Sequence, residues 1–204
     1  MLDGAAKSII QPTLDRIGRG LAGWGVSANH VTLVGLLIGV FAGAAIVAEQ
    51  FFAAFVLILV SRALDGLDGA VARATAPSDF GGFLDIVLDF AFYGLIPLAF
   101  IIQDPQQNGI AGGLLLLSFY VNGASFLAFA TIAQKRGLST DARGVKSFYF
   151  TTGLAEASET LLVFLAFCLL PGYFAWIAIV FAILCFYTTL SRIVEARSLF
   201  ADAD

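Results

Sequence analysis

Charged residues are scarce in this sequence: they make up 13% of its 204 residues, whereas hydrophobic residues make up 59%. A soluble domain carries roughly 25% charged residues, so this chain has too few of them to cover a surface that faces water. The shortage excludes an ordinary soluble domain and predicts a chain that lies largely within a membrane. The net charge of −4 is less informative than the placement of the charges.

Cysteine and histidine are also rare. Cys168 and Cys185 lie inside apolar runs without the spacing of a metal site or a disulfide framework, so both are expected to be small buried hydrophobes. His30 is the single histidine, has no partner pattern nearby, and is expected to be structural. No continuous apolar segment precedes a small-residue cleavage site near the start, so we expect an unprocessed chain that begins on the cytosolic side.

Long apolar stretches dominate what is present. A helix needs about 20 residues to cross a bilayer core, and a span in lipid must be helical to satisfy its own backbone hydrogen bonds. The predicted spans are 31–49, 51–73, 80–102, 111–134, 151–170 and 173–194. The sequence therefore predicts an all-α polytopic membrane protein, one domain over 1–204, with a six-helix core over 31–194.

Basic residues occur at every second connection between the spans. They precede span one, separate spans two and three, separate four and five, and follow or end span six: Lys7, Arg16, Arg19, Arg73, Lys135, Arg136, Arg143, Lys146, Arg192 and Arg197. The other three connections contain no Lys or Arg. Cytosolic loops carry the excess of Lys and Arg, so both termini are expected in the cytosol. Arg62, inside span two, should face the protein interior with Asp65 as a partner.

The segment 1–26 precedes the first span and is partly apolar. Leu14, Ile17, Leu21 and Trp24 recur at helical spacing, with charged residues elsewhere on the helical circle. This pattern predicts an amphipathic helix that lies in the membrane interface. An ordinary juxtamembrane tail is the alternative.

Four aspartates lie in the two adjacent spans two and three: Asp65, Asp68, Asp85 and Asp89. Members of each pair are three or four residues apart, so each pair shares one helix face, and a tight turn around 74–79 would bring the faces together. Carboxylates are costly in a membrane, so one or two hard cations, Mg²⁺ or Mn²⁺, are expected between them. Protonation, or pairing with Arg62 and Arg73, is the alternative.

Small residues and one arginine accompany the aspartates. Gly66, Gly69, Gly81 and Gly82 either let helices pack closely or let a phosphate approach the backbone. Arg73 lies at the cytosolic mouth, where its planar fork can hold a diphosphate or serve only as a positive-inside anchor.

This stretch resembles the signature of the CDP-alcohol phosphatidyltransferase family, D-x-x-D-G-x-x-A-R followed by G-x-x-x-D-x-x-x-D. The matching positions are Asp65, Asp68, Gly69, Ala72, Arg73, Gly81, Asp85 and Asp89. Residues 74–80 place seven residues between the arginine and the glycine, where the family usually has eight. The run from Asn29 to Thr32 resembles the family's N-x-x-T, so the likeness covers essentially the whole chain. The run from Lys146 through Glu156 and Glu159 is similar to a bacterial branch of the family.

The resemblance implies an enzyme that displaces CMP from a CDP-alcohol by the attack of a second alcohol, in phospholipid biosynthesis. It implies that all four aspartates bind a pair of Mg²⁺ or Mn²⁺ ions, and that Asp85 and Asp89 have a catalytic role, with Asp89 as the base. It also implies that Gly69, Ala72, Arg73 and Gly81 contact the nucleotide and diphosphate.

The same resemblance implies the partners and the location. The donor would be a CDP-alcohol, CDP-diacylglycerol first, and the acceptor a small alcohol. Membrane lipid but no nucleic acid would be a partner, and homodimers are common in the family. The expected location is the bacterial inner membrane, with the site facing the cytosol.

Few residues in the sequence are candidates for binding the acceptor alcohol. Asn122 in span four, with Glu156 and Glu159 near the start of span five, are weak candidates for an acceptor pocket. Interhelical hydrogen bonds, or pairing with Arg143 or Lys146, would explain them equally well.

Rival classes are a cation or proton transporter, a catalytically silent scaffold, and a CDP-alcohol hydrolase. A transporter would also carry membrane carboxylates, yet a cluster near one membrane face without broken helices or paired repeats is untypical of one. The intact set of four aspartates argues against a silent scaffold. Transfer to water instead of an alcohol would make the enzyme a hydrolase.

Overall fold

The computed structural model describes residues 2–137 and 157–200, and the side chains of those from residue 11 onward. These residues form seven α-helices and one short 3-10 turn, with no strand among them, as the sequence predicts. The helices are α1 Leu2–Gly23, α2 Ala28–Val47, α3 Phe51–Ala74, α4 Asp79–Gln103, α5 Pro105–Lys135, α6 Ala157–Leu169 and α7 Phe174–Phe200, and the turn Pro171–Tyr173 precedes α7.

Within residues 2–137 and 157–200, four segments are long and apolar enough to cross a membrane by length and composition: α2, α4, α5 and Pro171–Phe200. Helix α3 has a comparable 24 residues, but it contains the charged residues Arg62, Asp65, Asp68 and Arg73. The described part of α6 has 13 residues, and the predicted span 151–170 begins outside the described residues. Large apolar side chains face outward; Phe52, Ile110 and Trp176 are 78%, 84% and 71% exposed, which is unusual for a surface in water.

Capping residues explain where the structure departs from the predicted boundaries. Helix α2 begins at Ala28, because the Ser27 hydroxyl accepts a hydrogen bond from the His30 backbone N–H. The Ser27 hydroxyl also lies 3.0 Å from His30 Nδ1, so the single histidine has a structural contact. Helix α5 begins six residues before the predicted 111, because Asp104 caps it through the Gln107 N–H and Pro105 suits its first position.

Polar contacts at the helix ends sort the connections into two groups. Gln103 donates to Glu49, and Gln107 donates to the Gly172 carbonyl, so the three connections without Lys or Arg meet at one end of the bundle. Arg136 donates to the last carbonyls of α7, those of Leu199 and Phe200. The C-terminal ends of α5 and α7 therefore lie together.

Aromatic rings fill the core between α4, α6 and α7. The fully buried rings are Phe92, Phe100, Phe164, Phe167 and Phe174, and the rings of Phe100 and Phe174 stack with centroids 4.7 Å apart. Helix α2 approaches Phe92 through Gly39, where an added Cβ would lie 2.7 Å from the ring. This close approach of α2 holds the Phe92 ring in place.

Helix α1 packs directly on α3. A Cβ at Gly18 would lie 2.8 Å from the Ala70 backbone, and Leu14 and Leu21 pack against the buried group formed with Leu67. The predicted N-terminal helix is present as α1, but its apolar residues lie on two different faces. Leu14 and Leu21 face α3, whereas Ile17 and Trp24 are 47% and 84% exposed, because Gly18 rather than Ile17 provides the flat contact with α3.

Candidate metal and nucleotide site

Three aspartates from α3 and α4 converge near the 75–78 turn that joins these helices. Asp65, Asp68 and Asp85 each offer a carboxylate oxygen, and these oxygens all lie within 4.8 Å of one another. The helical rise of 1.5 Å per residue places the three aspartates about 9–13 Å from that turn. The tight connection expected around 74–79 thus brings the two acidic faces together.

Asp68 supports a cation at this point independently of the spacing. Asp68 is only 6% exposed, and its Oδ2 has no hydrogen-bond partner among the described residues. A buried carboxylate oxygen without a partner is costly, and hard divalent cations bind such oxygens. The three carboxylates therefore fit a divalent metal ion.

Asp89 does not join these three oxygens; it turns toward Arg62. Arg62 Nη1 lies 2.7 Å from Asp89 Oδ1 and 3.4 Å from Asp65 Oδ1. The partner three residues along α3 is the one expected for Arg62, but the closer partner, Asp89, comes from α4. Counted along the helices, this pair lies about 15–18 Å from the 75–78 turn, deeper than the three converging carboxylates.

The surroundings of Arg62 fix its guanidinium. Arg62 Cζ lies 3.8 Å from the centroid of the Phe92 ring, a distance at which a cation is attracted to the ring face. The side chain of Arg62 is only 12% exposed. A small cavity adjoins this group and is lined by Thr32, Gly35, Leu36, Arg62, Asp65, Leu88 and Asp89.

Arg73 lies in the last turn of α3, one residue before the helix ends at Ala74. Its Nη2 donates to Asp15 Oδ1 at 2.7 Å, and its side chain is 51% exposed. A Cβ added at Gly69 would lie 3.4 Å from Arg73 Nη1, so the glycine and the guanidinium are neighbours at the mouth of the site. No spacing pattern predicts this pair, because Asp15 and Arg73 are 58 residues apart in the sequence.

The N-terminal ends of α2 and α4 also meet at this mouth. The Ser78 hydroxyl accepts a hydrogen bond from the Gly81 N–H and caps α4. A Cβ at Gly81 would lie 3.1 Å from Asn29 Oδ1, and Thr32 lines the cavity beside Asp65. The segment from Asn29 to Thr32 therefore stands next to the acidic helices.

Asn122 and Glu159, the two weak acceptor candidates that the structure describes, each have a hydrogen-bond partner. Asn122 accepts a hydrogen bond from Arg192 on α7 at 2.9 Å, and Ser125 accepts another from the same group, which fits the interhelical alternative for Asn122. Glu159 accepts from the neighbouring Ser158 hydroxyl at 3.3 Å. Glu156, with Arg143 and Lys146, lies outside the described residues, so the acceptor pocket stays a prediction.

Residues 25–187 match the family model described as CDP-alcohol phosphatidyltransferase. The match covers most of the chain, including all four aspartates, and the chain belongs to that family. It is accordingly a membrane transferase of phospholipid biosynthesis, which moves a phosphatidyl-type group from a CDP-alcohol.

Curated relatives are bacterial and archaeal. The chain is 47% identical over 193 residues to the inner membrane protein YnjF of Escherichia coli, covering 95% of this chain and 94% of the relative. It is 41% identical over 90 residues to the archaetidylinositol phosphate synthase of Pyrococcus horikoshii, covering 44% of this chain and 47% of that one. The synthase of the same name from Methanothermobacter thermautotrophicus is 28% identical over 194 residues, 92% of this chain and 88% of the relative.

Two solved structures share the fold. Both are of the phosphatidylinositol phosphate synthase of Mycobacterium tuberculosis, at 21% sequence identity. The structure with CDP-DAG bound has a TM-score of 0.72 and covers 90% of this chain and 93% of that chain. The structure in complex with manganese and citrate has a TM-score of 0.69 and covers 88% and 87%.

Proposed function

We propose that the chain transfers a phosphatidyl group from CDP-diacylglycerol to a small alcohol, at a divalent-metal site held by the aspartates of α3 and α4. The observation that carries this proposal is the convergence of Asp65, Asp68 and Asp85 around an unpartnered buried oxygen. The name of the fold neighbour solved with CDP-DAG supports the same donor. Asp89 is the fourth member of the site.

The reaction joins the acceptor oxygen to the phosphorus that carries the diacylglycerol and breaks the bond from that phosphorus to CMP. When bound, divalent ions neutralise charge on the diphosphate and on the leaving CMP oxygen. Asp65, Asp68 and Asp85 would hold a metal ion through their carboxylate oxygens. Asp89 receives the proton of the acceptor hydroxyl, and Arg73, with Gly69, Ala72 and Gly81, binds the diphosphate end of the donor.

The topology follows the helix ends. We place the end that carries Arg73 and Arg136 in the cytosol, and the end that carries Glu49, Gln103 and Gly172 on the other side, because Lys and Arg concentrate in cytosolic connections. This gives six spans, α2 to α7, in one domain over 1–204, with both termini and the mouth of the site in the cytosol. The name of the Escherichia coli relative supports the bacterial inner membrane.

The function is tested by incubating the purified full-length protein with CDP-diacylglycerol, Mn²⁺ or Mg²⁺, and one alcohol at a time. The names of the archaeal relatives put inositol phosphate first on the panel, followed by glycerol phosphate, inositol and serine. We expect CMP release together with a new lipid for one alcohol. CMP with phosphatidic acid and no other lipid would identify a hydrolase, and no CMP at all would contradict the proposal.

Arg73→Ala should mainly weaken donor binding. The variant loses the guanidinium fork beside Gly69, and charge-assisted hydrogen bonds contribute about 1.5–3 kcal/mol, so the KM for CDP-diacylglycerol should rise about 10–100-fold with a smaller change in kcat. Initial rates of CMP release over a donor series give both constants.

The matched control for Arg73→Ala is Arg136→Ala. This substitution removes the same charge from the same end of the bundle. In the unmodified protein, however, Arg136 contacts the carbonyls of Leu199 and Phe200 rather than the site. The control should keep the KM of the unmodified protein. An unchanged KM in Arg73→Ala itself would remove Arg73 from the donor site.

A further inference from the structure

Arg62 contacts two of the four aspartates in the proposed site. Asp89 is the one aspartate that is not among the three converging carboxylates, and Arg62 Nη1 lies 2.7 Å from Asp89 Oδ1 and 3.4 Å from Asp65 Oδ1. Carboxylate oxygens of Asp68 and Asp85 lie within 4.8 Å of a carboxylate oxygen of Asp65. Asp65 therefore belongs both to the group of three converging carboxylates and to the pair of carboxylates that Arg62 contacts.

This guanidinium is built into the fold. Its plane lies over the Phe92 ring at 3.8 Å, and Phe92 is fully buried against Gly39 of α2, which leaves no room for a Cβ. Arg62 Nη2 also lies 3.4 Å from the Ser61 hydroxyl, and that hydroxyl donates to the Gly35 carbonyl at 2.8 Å. Helices α2, α3 and α4 together thus support one arginine beneath the carboxylates.

We propose that Arg62 is a counter-ion for Asp65 and Asp89 that must give up its pair with Asp89 before a second divalent ion can bind. The inference rests on the proposed metal site and deepens it. Arg62 does not touch the reacting atoms; it is a positioning residue that acts through Asp89.

Two physical consequences follow from this arrangement. Before metal binds, the guanidinium offsets repulsion among buried carboxylates, so the acidic helices can pack in a membrane. Asp65, Asp68 and Asp85 would hold a first ion, and Arg62 would compete with a second ion for Asp65 and Asp89. The two ions should therefore bind in sequence, with the second much weaker than the first.

The test is a Mn²⁺ titration of the purified, metal-free, full-length protein in detergent. The electron paramagnetic resonance signal of free Mn²⁺ gives the number of bound ions and their dissociation constants without any turnover. The unmodified protein should bind one ion tightly and a second weakly. In Arg62→Met the second ion should bind at least about tenfold more tightly, because a competing charge next to Asp65 and Asp89 is gone.

Three further variants separate the effect of the Arg62 charge from the effects of side-chain shape and of misfolding. Arg62→Lys keeps a positive charge on α3, so its second ion should stay weak. Arg136→Met removes an arginine that also lies near an aromatic ring, that of Phe200 at 5.2 Å, and should titrate like the unmodified protein. Arg62→Gln, which is polar and has no charge, serves in place of Arg62→Met if the methionine variant does not fold, and it should show the same tightening.

The outcomes are distinguishable from failure of the proposed function. If the unmodified protein binds no Mn²⁺, or if Asp68→Asn leaves the tight ion unaffected, the metal site itself is wrong. If the metal site holds but Arg62→Met and Arg62→Gln bind the second ion no more tightly, or lose it, then Arg62 does not compete with metal and the inference is overturned.

Discussion

Asp68→Asn should abolish turnover, with CMP release at least about 10³-fold slower than in the unmodified protein. Asp68 is the most buried of the clustered carboxylates, and its Oδ2 has no partner among the described residues. An asparagine has the same shape but places a neutral amide where the cation needs a charged oxygen. Losing several kcal/mol of charge stabilisation at the diphosphate corresponds to a rate loss of this size.

The control for Asp68→Asn is Asp79→Asn, the same chemical change in the exposed first turn of α4. Asp79 stands outside the cluster, so this variant should keep its rate. Both variants should insert and elute like the unmodified protein on size exclusion, because neither changes side-chain volume. Asp68→Asn with an ordinary rate of CMP release would disprove the assignment of Asp68 as a metal ligand.

Asp89→Asn should separate proton transfer from metal binding. The variant keeps an oxygen that can accept from Arg62 but loses the basic carboxylate, so kcat should fall about 10²–10⁴-fold, the range for loss of a general base. The first Mn²⁺ ion should still bind tightly, because the three converging oxygens belong to Asp65, Asp68 and Asp85. Single-turnover CMP release and a Mn²⁺ titration measure the two effects.

Asp85→Asn provides the comparison for Asp89→Asn. Asp85 is four residues earlier on the same helix face, so the two variants differ only in which carboxylate is neutralised. We expect Asp85→Asn to lose the tight ion and the activity together. If Asp89→Asn also loses the tight ion, Asp89 is a ligand of the first metal; if its kcat is unchanged, it is not the base.

Local spacing predicts much of the candidate site. A separation of three or four residues puts each pair of aspartates on one helix face, and Pro77 and Ser78 mark the turn that brings α3 and α4 together. The apolar runs likewise predict the helices, with errors at their ends where a cap such as Ser27 or Asp104 decides the boundary.

Long-range partners are what the spacing does not predict. Arg62 has Asp65 within reach along its own helix, yet its closest partner is Asp89, 27 residues away on α4. Arg73 pairs with Asp15 across 58 residues, a contact that depends on α1 crossing α3 at Gly18. These pairs depend on how the helices cross, and hydrophobic periodicity does not predict the crossing of helices.

The contact between α1 and α3 bears on how this enzyme should be shortened or fused. The family match starts at residue 25, so a truncation just before it would look harmless. It would nevertheless remove the partner of Arg73 and strip the cover from the Ala70 backbone, on the helix that carries two of the aspartates. Reporter fusions and deletions are better placed after Phe200 than within the first 23 residues.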